Sequence, residues 1–155
     1  MSDSPTELMI RKATVADAAG VSALMRGAYT PYLSRVEGPL PPLEANYAEE
    51  IERRQTWVMD EGGAIIGALF LDVAEDHMVL VNVAVSPDHQ GRGLGRRLIE
   101  KAEDETRAQG FGELRLFTHA KMTENVALYT RLGWREYERQ EQGAAPRVFM
   151  TKVLT

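Results

Sequence analysis

The chain has 155 residues, of which 44% are hydrophobic and 26% are charged, proportions that are usual for a globular protein with a buried core. It contains no cysteine, which excludes disulfides, cysteine nucleophiles and thiolate metal ligands. The net charge of -5 argues against a general nucleic-acid-binding role.

The N-terminal segment, MSDSPTELMIRKA, has no apolar run long enough for a signal peptide or a membrane span, which predicts a cytoplasmic protein without a membrane partner. The pattern predicts a first strand over residues 8–14 and a helix over 14–29. Thr14 and Asp17 open this helix with the spacing of a capping box. A second helix is predicted over 43–54.

The middle of the chain, residues 55–85, predicts three successive strands. Turn residues at 60–63 and 74–76 separate them. Because side chains alternate along a strand, four valines of the last strand are expected on one face. They are Val79, Val81, Val83 and Val85.

The C-terminal part predicts a helix over 94–110, a strand over 114–119, a helix over 125–133 and closing strands over 134–140 and 146–154. Adjacent strands in the middle of the chain indicate an α+β fold rather than alternating strand–helix units. We therefore expect a single domain over the whole chain. Its central sheet should be mixed but mostly antiparallel, with six to seven strands and about four flanking helices.

A glycine-rich loop, QGRGLG at residues 90–95, lies between a predicted strand and the start of the helix over 94–110. Helix N-termini have unpaired N–H groups and a partial positive charge, and glycines let an anion approach them closely. Arg92 and Arg96 add formal positive charge in an otherwise acidic chain. The loop therefore favours a diphosphate-binding function.

Three interpretations of this loop compete. A glycine-rich sharp turn would leave the nearby arginines unexplained. A dinucleotide-binding fingerprint needs G-x-G-x-x-G, whereas the spacing here is G-x-G-x-G, and a P-loop needs G-K-[ST] where this chain has Gly95-Arg96-Arg97. The third interpretation is coenzyme A.

The segment VNVAVSPDHQGRGLGRRLIEKAEDETRAQG, residues 81–110, resembles the central motif of the GNAT superfamily of acyl-CoA-dependent N-acetyltransferases. The run NVALYTRLGW, residues 125–134, resembles the family's second motif. The resemblance implies acetyl-CoA as co-substrate, with its pyrophosphate on the N–H groups of 90–95 and its pantetheine arm along the preceding strand. The implied coenzyme-binding residues are Val83, Ala84, Val85, Gln90, Gly91, Arg92, Gly93, Leu94, Gly95, Arg96, Asn125 and Tyr129.

The resemblance also implies that Tyr129 protonates the departing thiolate. Many family members carry an asparagine seven residues earlier, where this chain has Met122, so Asn125 either replaces it or caps the helix. Several members place a base at positions that match Val79 or Val81. His77, in phase with them at the start of the strand, is the first candidate for the base.

The acceptor site is expected near the irregular segment that follows the first helix, because loops at cleft mouths determine specificity. The candidate substrate-binding residues are Tyr29, Tyr32, Tyr47 and His119. Arg147 either faces the same cleft or pairs with a carboxylate. The three histidines lack metal-ligand spacing, which predicts no metal.

Three functions remain open at this point. The first is an N-acetyltransferase that moves an acetyl group from acetyl-CoA directly to a primary amine of a small molecule or peptide in a ternary complex. The second is a non-catalytic module that binds or senses acyl-CoA. The third is a protein that binds a nucleotide through its phosphates and whose Tm is raised by ATP or NAD but not by coenzyme A. The sequence does not decide the oligomeric state, and a homodimer stays open.

Overall fold

A computed structural model of the chain describes residues 8–36, 40–143 and 145–155. The strands in these residues are β1 (Leu8–Lys12), β2 (Gln55–Glu61), β3 (Ala64–Val73), β4 (Met78–Val85), β5 (Glu113–His119), β6 (Arg135–Gln140) and β7 (Arg147–Val153). They form one seven-stranded sheet in the order β1-β2-β3-β4-β5-β7-β6. All neighbours are antiparallel except β4 and β5, which are parallel. The expected mixed, mostly antiparallel α+β sheet is confirmed.

The helices in the described residues are α1 (Ala18–Tyr29), α2 (Pro41–Glu44), α3 (Tyr47–Arg53), α4 (Leu94–Ala108) and α5 (Thr123–Arg131). The predicted helix over 43–54 is wrong, because the chain is extended at Asn46 and separates α2 from α3. The Asn46 side chain accepts the N–H of Glu49 and so starts α3 as its N-cap. No helix among the described residues combines the length and hydropathy needed to cross a membrane.

The helices cover both faces of the sheet. One core packs α1 and α3 against the face that bears Val58, Ala68 and Phe70. The other core packs α4 and α5 against the opposite face, which bears Leu69 and Leu71. The alternation of Ala68, Leu69, Phe70 and Leu71 between the two cores follows from the two-residue period of a strand.

A β-bulge in β4 overturns the expected valine face. Phe70 lies opposite Asn82 and Leu71 lies opposite Leu80, so Val81 has no partner in β3. The extra residue shifts the side-chain alternation by one position. Val83 and Val85 therefore pack on the α4 side, whereas Val81 packs on the α1 side. The valines of β4 do not share one face.

Lys152 of β7 fixes the C-terminal end of α5 and the middle of α4. Its Nζ donates to both carboxylate oxygens of the buried Glu103 at 3.1 and 3.0 Å, and to the carbonyl of Leu132 at 2.7 Å. A cation near the last carbonyls of a helix also interacts favourably with the helix dipole. The two helices on this face are thereby held to the sheet.

Arg11 joins the N-terminal strand to the start of the first helix. Its guanidinium donates to both carboxylate oxygens of Asp17 at 2.9 Å and to Asp60 at 3.1 Å. Asp17 also accepts the N–H of Thr14 at 2.8 Å, which confirms this part of the predicted capping box. The Arg11 hydrogen bonds are the main reason that the pKa of Asp17 is lowered from 3.8 to about 2.

Asp17→Asn should lower the free energy of unfolding at pH 7 by about 1–2 kcal/mol, allowing for solvent screening of the part-exposed Arg11. Because the folded-state pKa of Asp17 is lowered, its stabilisation is present above pH 3.8 and is lost as the pH falls towards 2. Urea unfolding from pH 7 to 2.5 should show that the difference in the free energy of unfolding between wild type and variant becomes smaller as the pH falls. Asp88→Asn, at an exposed aspartate with no ion pair among the described residues, is the control. Equal effects of both substitutions would contradict the view that the Arg11–Asp17 ion pair stabilises the fold.

Candidate active site

A wedge-shaped gap opens in the sheet between β4 and β5. The two strands pair only at Met78 with Leu114 and at Val79 with Arg115. Beyond that point, β4 stays paired with β3 while β5 pairs with β7 along its whole length. The β4 bulge at Val81 lies where the strands separate, and a bulge bends and twists a strand away from its neighbour. Residues 80–85 therefore leave one strand edge unpaired.

The glycine loop lies at the open end of this gap and leads into α4. Gly91 and Gly93 have φ angles of +87° and +74°, in the left-handed region that favours glycine, and Gly93 is the N-cap of α4. None of the N–H groups of residues 90–96 donates a hydrogen bond to an acceptor in the part of the chain that the structure describes. A Cβ added at either glycine would meet nothing within 4 Å. The loop thus presents free donors to an open space, as anion binding requires.

The arginines of the loop are held by carboxylates. Arg92 lies 2.9 Å from Glu61, whose pKa it lowers, and Arg96 lies 3.2 Å from Glu100 one turn further along α4. The adjacent Arg97 has no carboxylate partner among the described residues. The unpaired backbone N–H groups are therefore the donors of the loop itself that are available to an anion.

Tyr129 lies in α5, the helix that follows β5, and its side chain is almost fully buried. Its ring packs edge-on against Trp134 with centroids 5.5 Å apart. Burial raises the pKa of Tyr129 above its usual 10, and the nearby Tyr29 raises it further. Tyr29 comes from α1, so the fold brings the two phenols together from opposite halves of the sheet.

A cavity of about 320 Å³ lies beside the gap on the α1 face. Its walls combine residues from both halves of the split sheet and from the segment around α2. Those used below are Tyr29, Leu40, Tyr47, Glu50, Arg54, Phe70, Val81, Asn82, Phe117, His119, Met122 and Arg147. The cavity is a compact, mainly apolar chamber with a few polar groups, as small-ligand sites usually are.

Two polar pairs lie in the wall of the cavity. The hydroxyl of Tyr29 donates to Oδ1 of Asn82 at 2.5 Å, and burial raises the pKa of Tyr29 to about 12. This leaves the Asn82 amide N–H groups for another acceptor. Glu50 is paired with Arg54, which also contacts Asp72. The negative charge of Glu50 is thus already balanced by Arg54.

Residues 22–134 match the sequence model of the Acetyltransferase (GNAT) family. The chain belongs to the GNAT acetyltransferase family. The match includes both sequence motifs, the glycine loop and Tyr129, and confirms the resemblance on which the sequence analysis relied.

Individual GNAT relatives support the assignment. The chain is 35% identical over 85 residues to the ribosomal protein bS18-alanine N-acetyltransferase of Escherichia coli K12, covering 55% of this chain and 57% of that protein. It therefore spans little more than half of this curated relative. It is 30% identical over 109 residues to the IAA acetyltransferase of Azospirillum brasilense, covering 66% of this chain and 71% of that protein.

The fold also matches solved GNAT structures. The PaiA N-acetyltransferase of Thermoplasma acidophilum, crystallised in complex with coenzyme A, superimposes with a TM-score of 0.82. The superposition covers 95% of this chain and 99% of that protein at 17% sequence identity. At this identity the likeness shows a shared fold.

The GNAT fold brings most of the predicted coenzyme residues together. Val83, Ala84 and Val85 lie on the unpaired part of β4, and residues 90–96 form the adjoining loop and first turn of α4. The alternative interpretation of Asn125 as a helix cap is wrong, because α5 begins at Thr123 with Met122 as its N-cap. The Asn125 amide instead lies 3.5 Å from Thr118 at the end of β5.

The predicted acceptor residues divide into two groups. Tyr29, Tyr47 and His119 line the cavity. Tyr32 does not line it; its ring lies 6.2 Å from that of Tyr29 and packs against the guanidinium of Arg35. Tyr32, in the turn after α1, therefore packs beside Tyr29 and does not form part of the cavity wall.

His77, the expected base, is not brought to the cavity. It lies at the closed end of the gap, next to the only two pairs that join β4 to β5. Its Nδ1 is 2.7 Å from the carboxylate of its neighbour Asp76. The β4 bulge also removes the phase relation between His77 and the open part of the strand.

The sequence analysis missed Asn82 and Glu50, which both line the cavity. Asn82 is the only polar residue in the strand MVLVNVAV, and asparagine is depleted in strands. An asparagine in an otherwise apolar strand is a sequence feature that indicates a functional position. Glu50 carries no comparable signal, since an exposed face of a helix is usually rich in glutamate.

Proposed function

We propose that the chain transfers an acetyl group from acetyl-CoA to a primary amine of a small molecule or peptide, directly within a ternary complex. The observation that supports this best is the gap between β4 and β5. Free backbone donors lie at its open end, and a compact cavity lies beside it. Two substrates can therefore reach the same point from opposite faces of the sheet.

The backbone of the loop and of β4 would hold the coenzyme. The N–H groups of residues 90–96 suit the negatively charged pyrophosphate, because a helix N-terminus with glycines stabilises anions without steric hindrance. The unpaired edge of Val83–Val85 suits the amides of a pantetheine arm, which would extend the sheet as a further strand does. Both features are built from main-chain groups and depend on the fold more than on side-chain identity.

Acetyl transfer forms a C–N bond and breaks a C–S bond, so the amine must lose a proton and the sulfur gains one. We assign to Tyr129 the role of giving its proton to the sulfur. Its raised pKa keeps the phenol protonated over the whole physiological range, at the cost of making it a weaker acid. Its contribution therefore depends on proton transfer that accompanies bond breaking.

No free carboxylate lines the cavity among the described residues. Glu50 is engaged by Arg54, and Nδ1 of His119 already accepts the N–H of Lys121 at 3.1 Å. We therefore assign removal of the amine proton to water rather than to His77. An amine that reaches the cavity in its neutral form needs no protein base.

The acceptor belongs to the class of small-molecule or peptide amines. The relatives differ in the acceptors that their names give, an alanine of a ribosomal protein in one and IAA in the other. A cavity of about 320 Å³ holds a small amine or the end of a peptide. The local side chains that face this cavity decide between these acceptors.

The function is tested by incubating the protein with acetyl-CoA and a panel of amines. Thiol release is measured with a colorimetric thiol reagent, and acetylated products are identified by mass spectrometry. We expect thiol release that depends on both protein and amine, with one acetyl group gained by the acceptor. Tight binding of acetyl-CoA without thiol release from any amine would instead indicate a module that senses acyl-CoA. A Tm raised by ATP or NAD but not by coenzyme A would refute both functions.

A further inference from the structure

Two arginines line the acceptor cavity, and they differ in what they contact. Arg54 is shared between the carboxylates of Glu50 and Asp72. Arg147 has no carboxylate within 4 Å in the described ranges 8–36, 40–143 and 145–155. Of the two arginines that line this cavity, Arg147 is therefore the one without a counter-ion among the described residues.

The guanidinium of Arg147 is held in place by an aromatic ring. Its central carbon lies 4.7 Å from the centroid of the Phe117 ring, in cation–π contact. A contact of this kind does not use the N–H groups, and no Arg147 side-chain hydrogen bond is formed among the described residues, so these groups remain available to donate. The edge of a guanidinium binds a carboxylate through two parallel hydrogen bonds.

A second donor lies beside Arg147. His119 of β5 and Arg147 of β7 are direct partners in antiparallel register, so their side chains lie on the same face of the sheet, and both line the cavity. Nδ1 of His119 accepts the N–H of Lys121 at 3.1 Å. The neutral ring therefore carries its proton on Nε2, which acts as a donor.

Apart from the Tyr29–Asn82 and Glu50–Arg54 pairs, most of the remaining wall of the cavity is apolar. Phe70 and Val81 contribute from the sheet, and Leu40 and Met122 from the segments that enclose it. The volume of about 320 Å³ lies at the small end of the range for small-molecule sites. An acceptor that fits combines a small apolar body with one anionic group.

We propose that the acceptor is an amino-acid-like amine whose carboxylate binds Arg147 and the Nε2–H of His119, with an apolar side chain against Phe70 and Val81. This inference rests on the proposed function and names the substrate class of the same site. The Tyr29–Asn82 pair comes from α1 and β4, across the gap from β5 and β7, and is then left for the amine end of the acceptor. Arg147 determines specificity and takes no part in bond making.

The test uses matched acceptors that differ only in the carboxylate: methionine against methioninamide, and phenylalanine against phenylalaninamide. With acetyl-CoA saturating, we expect kcat/KM for the free acids to exceed that for the amides by about 10- to 100-fold, the size of one charge-assisted hydrogen-bonded contact. The amine of the amides is less basic, so more of it is neutral and reactive near pH 7. This difference in basicity alone would favour the amides, which is the opposite of the expected result.

Arg147→Gln should remove the preference for the acids, mainly by raising their KM, and Arg147→Lys should restore part of it. Arg135→Gln, at an exposed arginine of the neighbouring edge strand β6, makes the same change in net charge away from the cavity and is the matched control. A preference that survives Arg147→Gln, or that Arg135→Gln removes equally, would overturn the inference. Equal kcat/KM for acids and amides in the wild type would also overturn it.

A binding measurement separates this inference from the proposed function. Calorimetry of the protein with coenzyme A should show that N-acetylphenylalanine binds more tightly than N-acetylphenylalaninamide, and that Arg147→Gln abolishes the difference. If no amine releases thiol but this difference is observed, the transfer function fails and the carboxylate site stands. If thiol is released and the two products bind alike, the transfer function stands and the carboxylate site is refuted.

Discussion

Gly93→Val should raise the Kd for acetyl-CoA by more than about 100-fold. A Cβ at this position would project into the open space above the N-terminus of α4, where we propose that the pyrophosphate binds. Loss of two hydrogen bonds to a charged group, at about 1.5–3 kcal/mol each, corresponds to at least this change in affinity. Isothermal titration calorimetry with acetyl-CoA measures it directly.

The substitution also strains the backbone, so the stability effect needs its own control. Gly93 has a φ of +74°, where a β-branched residue costs about 1–3 kcal/mol. Gly110→Val places the same side chain at a φ of +88° at the other end of α4, and its Cβ also meets nothing within 4 Å. Both variants should lose similar stability, and only Gly93→Val should lose acetyl-CoA binding. Equal affinities of the two folded variants would refute the loop as the pyrophosphate site.

Tyr129→Phe should lower kcat by up to about 100-fold while the Kd for acetyl-CoA stays within about twofold, since a general acid acts on the transition state rather than on binding. The ring and its contact with Trp134 are retained, so the Tm should change little. Because burial raises the pKa of Tyr129, the wild-type rate should show no decline from its deprotonation at any pH below 10. Steady-state rates from pH 6 to 9.5 and calorimetry test both statements.

Tyr137→Phe is the control for this prediction. Tyr137 lies in the exposed edge strand β6, and its substitution removes the same hydroxyl from a ring outside the gap. Its kcat should match that of the wild type. If Tyr129→Phe turns over at the same rate as Tyr137→Phe, the thiolate leaves without help from the protein, and water supplies the proton.

The relation of sequence to site is clearest in the glycine loop. Glycine spacing, arginine content and a following amphipathic helix are features of one continuous stretch, residues 90–108, and the positive φ angles of Gly91 and Gly93 fall within it. The predicted helix over 94–110 and its apolar stripe are confirmed by the burial of Leu94, Leu98 and Ala102. Local patterns of this kind are readable because their physical causes are local.

The position of His77 shows a limit of predictions made from local sequence patterns. The bulge at Val81 comes after His77 and Val79 and leaves their phase unchanged; His77 lies away from the cavity because β4 and β5 pair at Met78 and Val79 and separate only beyond them. Register is set by pairing between residues that lie far apart along the chain, and a shift of one residue exchanges the two faces. The sequence of β4 alone does not contain this information.

The sequence by itself determined the family and the succession of most helices and strands along the chain, because each depends on periodicity or on a short motif. Only the tertiary structure decided which groups meet at the acceptor cavity. Tyr29, Asn82 and Arg147 come from α1, β4 and β7, and no spacing along the chain relates them. Their convergence is fixed by how two halves of a sheet separate and pack, a property of non-local contacts.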